Sequence, residues 1–281
     1  MKQIHVDTII EAVRNICQGA NFDLGDDVQR ALEESLQIEE SSTGKMIIEQ
    51  ILENAEIASK QRVPMCQDTG VAVFFVELGQ EAQVVGGDFA EAINEGVRQG
   101  YREGYLRKSM VNDPLFDRKN TEDNTPAIIH TRIVPGGRLK ITVAPKGAGS
   151  ENMSAIRMMK PADGLEGAKD FVVECVERSG GNPCPPVIVG VGIGGTFEKC
   201  AEIAKRALLR ELGKHSADSR FVSLERELKE KINDLGIGPM GLGGRVTALA
   251  VHIESFPCHI GSLPVAVNIQ CHAARHKSVV L

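Results

Sequence analysis

Arg62-Val-Pro-Met-Cys-Gln-Asp-Thr-Gly70, running directly into Val71-Ala-Val-Phe-Phe-Val-Glu-Leu78, is the stretch at which the chain changes character. The first half is turn chemistry, with Pro64 fixing φ and Asp68, Thr69 and Gly70 suited to a tight bend. The second half is a compact, apolar, β-branched run of the kind that makes a buried strand. Everything before it reads as helix, and strands alternate with helices after it. The class is therefore mixed α+β: a helical N-terminal region followed by mixed or antiparallel β-sheets packed with helices.

Upstream, Thr8 and Glu11 form a capping-box pair, and Ile9, Ile10, Val13, Ile16 and Cys17 fall on one helical stripe. A second amphipathic helix is expected near Asp26–Glu40, and a third near Thr43–Lys60. Downstream come a helix near Asp88–Tyr105 and a polar loop over Asn112–Thr125. Ala127–Val134 and Leu139–Ala144 read as a hairpin around Pro135-Gly-Gly137, and Lys146–Asn152 as a loop. Gly164–Arg178 is a helix, Val187–Val191 a strand and Thr196–Leu212 a helix. A charged helix near Leu224–Leu235 precedes the glycine-rich stretch Gly236–Gly244 and strands near Val246–Ile253 and Leu263–Ile269. No repeat or linker divides the chain. One domain over residues 1–281 is expected, with residues 1–60 as a helical subregion.

Composition narrows the function. The chain has 281 residues, with 32 basic and 38 acidic side chains, a formal charge of −6. The signs are interspersed, so no polyanion-binding stripe is visible and nucleic acid is not expected as a partner. The N-terminus carries no apolar signal core and no apolar run is long enough for a membrane span, so a cytoplasmic protein is expected. Seven cysteines, an odd number at wide spacing, argue against a disulfide framework.

Gly190-Val-Gly192-Ile-Gly-Gly195 is a literal G-x-G-x-x-G between a strand and a helix, which raises a nicotinamide dehydrogenase. That fingerprint needs a second strand ending in an acid some twenty residues on. His215–Glu230 is instead polar and then helical, and the glycines begin inside the strand. Close packing of backbone at a strand–helix turn is the better reading.

Three cysteines stand in loops at strand ends. Cys66 precedes Val71, Cys184 lies in Gly-Gly-Asn-Pro-Cys-Pro-Pro before Val187, and Cys271 ends the last strand ahead of His272. Cys17, Cys175 and Cys200 fall on helix faces and read as core. Three thiolates can hold a [4Fe–4S] cluster and leave one iron without a protein ligand, free to act as a Lewis acid. No C-x-x-C is present, which argues against a zinc finger. Spacing alone leaves the three as structural thiols or as ligands, with Cys258 in Pro-Cys-His as a rival to Cys271.

At these loops the sequence resembles the class I iron–sulfur fumarate hydratase family, which includes the L-tartrate dehydratases, and looks like the α subunit of its two-subunit forms. The resemblance runs over nearly the whole chain. It is carried by Pro64-Met-Cys-Gln-Asp-Thr-Gly70, Asn120-Thr-Glu-Asp-Asn-Thr-Pro126, Lys146-Gly-Ala-Gly-Ser-Glu-Asn152, Cys184-Pro-Pro186, the Gly190–Gly195 turn and Ile269-Gln-Cys-His272.

The resemblance implies that Cys66, Cys184 and Cys271 hold a [4Fe–4S] cluster, with Cys271 preferred over Cys258. It implies that Gln67 and Asp68 reach the substrate, that Arg107 grips a carboxylate through its planar fork, and that a backbone amide at Gly149 binds the other carboxylate. It places His259 at the active site, where Asp68 with His259 would pass a proton to the departing hydroxide. Single-chain members carry a further C-terminal domain with more arginines, a lysine and a threonine. This chain stops at Leu281, so a separate β subunit, in an α2β2 assembly, is expected to supply them. The loop around Glu151 departs from the Gly-Gly-Gly-Ser-Ala-Asn form of many single-chain members, which leaves the substrate open. Reversible hydration of fumarate to L-malate is the first expectation, and dehydration of L(+)-tartrate to oxaloacetate the alternative.

Overall fold

The computed structural model describes residues 2–281. The chain falls into two compact units: Met1–Leu24 with Asn54–Ala148 and Arg275–Leu281, and Gly25–Glu53 with Gly149–Ala274.

In the first unit, β1 (Lys2–His5) leads straight into α1 (Val6–Phe22). The helix starts ahead of the expected Thr8–Glu11 box because His5 caps it, its Nδ1 accepting the Asp7 N–H at 3.3 Å. The predicted stripe is the buried one: Ile9, Val13, Ile16, Cys17 and Ala20 face the core. It meets α4 (Phe89–Glu103) and the inner face of a four-stranded sheet, with Ala72, Phe74, Val76, Leu139, Ile141 and Val143 in the same core. The strands are β2 (Val71–Gly79), β4 (Ile128–Val134), β5 (Leu139–Lys146) and β10 (Lys277–Val280), in the order β10-β5-β2-β4. A short β3 (Ala82–Val85) pairs in parallel with β1.

The expected hairpin of residues 127–144 does not form. β4 runs parallel to β2 on one side and β5 antiparallel to it on the other, so β2 separates them. Pro135–Arg138 is a real turn, but it crosses the end of β2, a step of roughly 10 Å over two strand spacings. The reason lies in burial. β2 is apolar on both faces and takes the centre, whereas β4 is largely exposed and suits an edge.

The second unit contains α2 (Asp26–Ile38) and the start of α3 (Ser42–Gln61). Its sheet has the order β6-β9-β7-β8, from β6 (Ala155–Met159), β7 (Val187–Gly194), β8 (Ala248–Phe256) and β9 (Leu263–Gln270). β7 and β8 are parallel, and β9 is antiparallel to β7 and β6. Val187, Val189 and Val191 turn to one face, toward α6 (Gly164–Ser179) and α8 (Ser219–Asn233). The other face meets α7 (Phe197–Ala207), shorter than the predicted 196–212.

The glycine turn finds its physical explanation here. A Cβ on Gly190 would lie 2.2 Å from the carbonyl oxygen of Ala204, and one on Gly192 would lie 2.2 Å from that of Cys200. The glycines let α7 lie directly on the strand backbone. The region that a dinucleotide fold needs as its second strand is α8 and its approach. Lys146–Asn152 holds one turn of helix, α5 (Ala148–Glu151), where only loop was expected. No helix among the described residues is long and apolar enough to cross a membrane.

Candidate functional site

The loop of residues 62–70 is tied down from several sides within the first unit. The hydroxyl of Tyr101, buried in the core, reaches the carbonyls of Thr69 and Gly70 at 3.0 Å each. Asn124 Nδ2 donates to the Gly70 carbonyl at 3.2 Å, while its Oδ1 accepts the Ser109 N–H at 2.8 Å. Thr69 Oγ1 donates to the carbonyl of Arg107 at 2.8 Å, fixing that residue's backbone beside the loop. Buried Arg275 completes the frame, bonding the Asp68 carbonyl at 2.8 Å and Asn21 Oδ1 at 3.0 Å. This is the work of the Asn120–Pro126 motif: Asn124 joins the Cys66 loop to the segment that carries Arg107.

Asp68 makes the expected turn and more. Its Oδ1 accepts the Gly70 N–H at 3.0 Å and its Oδ2 the Ala148 N–H at 2.7 Å. The carboxylate thus ties the cysteine loop to Ala148, just past the end of β5, and it stays half-buried. Gln67 is exposed, with its Oε1 3.5 Å from the Cys66 sulfur. The Arg107 side chain is exposed, and among the described residues no carboxylate pairs with it.

In the second unit, Cys184 and Cys271 stand at one end of the sheet. Cys184 precedes β7 and Cys271 follows β9, and these antiparallel neighbours register Ile188 opposite Gln270. The two loops are bonded directly: the His272 N–H and ring Nδ1 lie 3.3 and 3.0 Å from the Cys184 carbonyl. A carbonyl only accepts, so Nδ1 carries the proton. Cys184 is held at φ +56, a left-handed conformation unusual for a residue with a side chain. Strain of that kind gathers where structure over-determines a functional position. Gly149, exposed at the start of α5, lies next to this region through Asn182, whose carbonyl would sit 3.4 Å from a Cβ there.

His259 does not join Cys184 and Cys271. It lies with Cys258 in the β8–β9 loop, at the far end of β7 and β9, and the eight residues of β9 span roughly 25 Å. Its Nδ1 accepts the Gly261 N–H at 3.0 Å within an exposed turn. The same strand removes Cys258 as a partner for Cys184 within this chain. Twelve residues of sequence separate His259 from Cys271, but an extended strand turns that separation into distance.

The thiols divide cleanly. Burial pushes Cys17 upward and raises Cys175 and Cys200 to about 11, so these three stay protonated core residues. Cys66, Cys184 and Cys271 are half-buried, each in a loop at a strand end. Soft, accessible thiols on strained or bonded backbone fit iron–sulfur ligation. Among the described residues no three His, Cys, Asp or Glu side chains gather as they would around one ion.

Sequence reasoning missed the supports: Tyr101, Asn21, Arg275 and the ring of His272. It also read Glu151 only as a departure in a substrate loop. In the structure Glu151 pairs with Lys205 on α7 and accepts from Asn268 Nδ2 at 2.9 Å on β9. A carboxylate in this otherwise small and polar loop, with a lysine on the glycine-packed helix, was the signal available.

Residues 10–280 match the family model described as fumarate hydratase (Fumerase). A relative from Methanocaldococcus jannaschii, a putative L(+)-tartrate dehydratase subunit alpha, is 44% identical over 275 residues, covering 96% of this chain and 94% of its own. L(+)-tartrate dehydratase subunits alpha from Escherichia coli and Shigella sonnei are each 33% identical over 284 residues, covering all of this chain and 93% of theirs.

Proposed function

Because the chain belongs to the fumarate hydratase family as an alpha-type, hydro-lyase subunit, we propose that it dehydrates L(+)-tartrate to oxaloacetate together with a separate β subunit. End-to-end similarity to relatives named as tartrate dehydratase subunits carries the substrate. Fumarate hydration, the first expectation from the motifs, becomes the second reading, since the family model bears that name.

The cofactor in this reading is a [4Fe–4S] cluster on Cys66, Cys184 and Cys271. Bound by three thiolates, it would supply a Lewis acid for the substrate's hydroxyl through the iron that lacks a protein ligand. The remaining chemistry belongs to side chains. Arg107 takes one carboxylate in its fork, and the Gly149 N–H takes the other. The carbon-bound proton goes to a base on the β subunit while the hydroxyl leaves from the neighbouring carbon. Asp68 returns a proton to that departing hydroxide from its carboxyl, held in place by the Gly70 and Ala148 amides. The product is the enol of oxaloacetate, which ketonises. His259 carries no step in this scheme.

The test is to purify the chain with its β subunit without air and assay both acids. Oxaloacetate formed from L(+)-tartrate with a kcat/KM well above that for fumarate or malate supports the reading. The opposite preference selects fumarate, and turnover of neither acid sinks both.

A further inference from the structure

The glycine-rich stretch Gly236–Gly244 has no part in the scheme above, yet it touches the loop that carries Cys184. The Met240 N–H donates to the Pro185 carbonyl at 2.8 Å. Gly241, at φ +75, packs on Gly181 so closely that a Cβ would lie 2.5 Å from its Cα. Met240 itself is held at φ +53, so the contact is maintained at the cost of backbone strain.

The far end of this stretch is anchored by one buried acid. Glu39, only 2% exposed, sits in the connection between α2 and α3. Its Oε1 accepts the N–H groups of Glu40, Ser41 and Arg245 at 2.9, 2.8 and 2.9 Å, and its Oε2 accepts that of Val246 at 2.8 Å. Two glycines make room for it: a Cβ on Gly44 would lie 2.8 Å, and one on Gly244 2.5 Å, from its carboxylate atoms. Burial alone would raise its pKa, but the four amides outweigh that and hold it below the usual carboxylate value.

We propose that Glu39 is a positioning residue for Cys184: its carboxylate clamps Gly244–Val246, and the glycine-rich stretch carries that constraint to the Gly181–Pro185 turn. The role of Cys184 as a cluster ligand rests on the function proposed above, but the positional link does not. Glu39→Gln keeps the shape and breaks the clamp. The amide has one oxygen for four donors, and its NH2 must face either the Val246 N–H or the other three, donor against donor. Gly181→Ala tests the other end of the chain of contacts. A Cβ there meets the Met240 carbonyl oxygen at 3.1 Å and Gly241 Cα at 3.2 Å, without touching Glu39.

The experiment is timed alkylation of the cluster-free full chain by iodoacetamide, read thiol by thiol by mass spectrometry. Circular dichroism confirms that each variant is folded. In both variants Cys184 should react faster, in Glu39→Gln on the order of tenfold for a lost charge-assisted hydrogen bond, while Cys66 and exposed Cys258 keep their rates. Unchanged Cys184 reactivity in folded variants, or equal acceleration of every thiol, overturns the link. Iron content after anaerobic reconstitution is measured alongside. Faster Cys184 alkylation in the variants with no cluster on the wild type would keep the link and remove the cluster reading.

Discussion

The ring Nδ1 of His272 lies 3.0 Å from the carbonyl oxygen of Cys184, tying the residue after one candidate ligand to the backbone of another. Partners of this kind orient metal ligands without touching the metal. His272→Ala keeps the backbone bond and loses the ring. The expected result is cluster loss to a chelator about 10- to 100-fold faster than in wild type, followed by absorbance under anaerobic conditions, with little change in urea midpoint.

Asp68 has both a structural and a chemical assignment, and two substitutions separate them. Asp68→Ala strips acceptors from the Gly70 and Ala148 amides and should cost about 1–3 kcal/mol of stability by urea denaturation. Asp68→Asn keeps one acceptor and costs less stability. It should nevertheless lower kcat by two orders of magnitude or so, as loss of a general acid does. Near-normal turnover in the Asn variant would leave Asp68 as a turn residue only.

His252 gives the fold a pH signature. Burial, helped by the nearby Arg210 charge, pulls its pKa down to about 4 from an ordinary 6.5, and its Nδ1 bonds the Ala207 carbonyl at 3.2 Å. The unfolded chain takes up the proton first, so stability rises with pH between about 4 and 6.5 and is flat above that window. The effect is on the order of 3 kcal/mol across the window. Urea midpoints at pH 7 and pH 4.5 should differ less in His252→Asn than in wild type.

Gly190 decides between a packing turn and a nucleotide turn. Gly190→Ala drives a methyl into the Ala204 carbonyl and should destabilise by about 1–3 kcal/mol or more. NADH fluorescence should be the same with and without wild-type protein. A saturable change in that signal would revive the dehydrogenase.

Much of this architecture could be read from the chain because the relevant signals are local. The stripe through Ile9, Val13 and Ile16, the two-faced apolar run of β2 and the strand–helix unit at Val187–Ala207 all announce themselves within a few residues. β1, β3 and β10 do not: each is four residues long and pairs with a strand distant in sequence. The false hairpin came from trusting the Pro135–Gly137 turn, when the choice of neighbour was made by the burial of β2. At the candidate site, the half-buried loop thiols were legible from flanking prolines and strand ends. Tertiary contacts made the remaining assignments. Neither the ring of His272 on Cys184 nor Arg275 under Asp68 leaves a pattern in the sequence, and the length of β9 separated His259 from Cys271.

Cysteine-by-cysteine replacement tests the central claim most directly, with iron and sulfide measured on the anaerobically purified complex. Wild type and Cys258→Ser should each hold about four iron and four sulfide per chain, while Cys66→Ser, Cys184→Ser and Cys271→Ser should hold little. A Cys258→Ser protein that loses its iron, or a Cys271→Ser protein that keeps a full complement, would contradict the account.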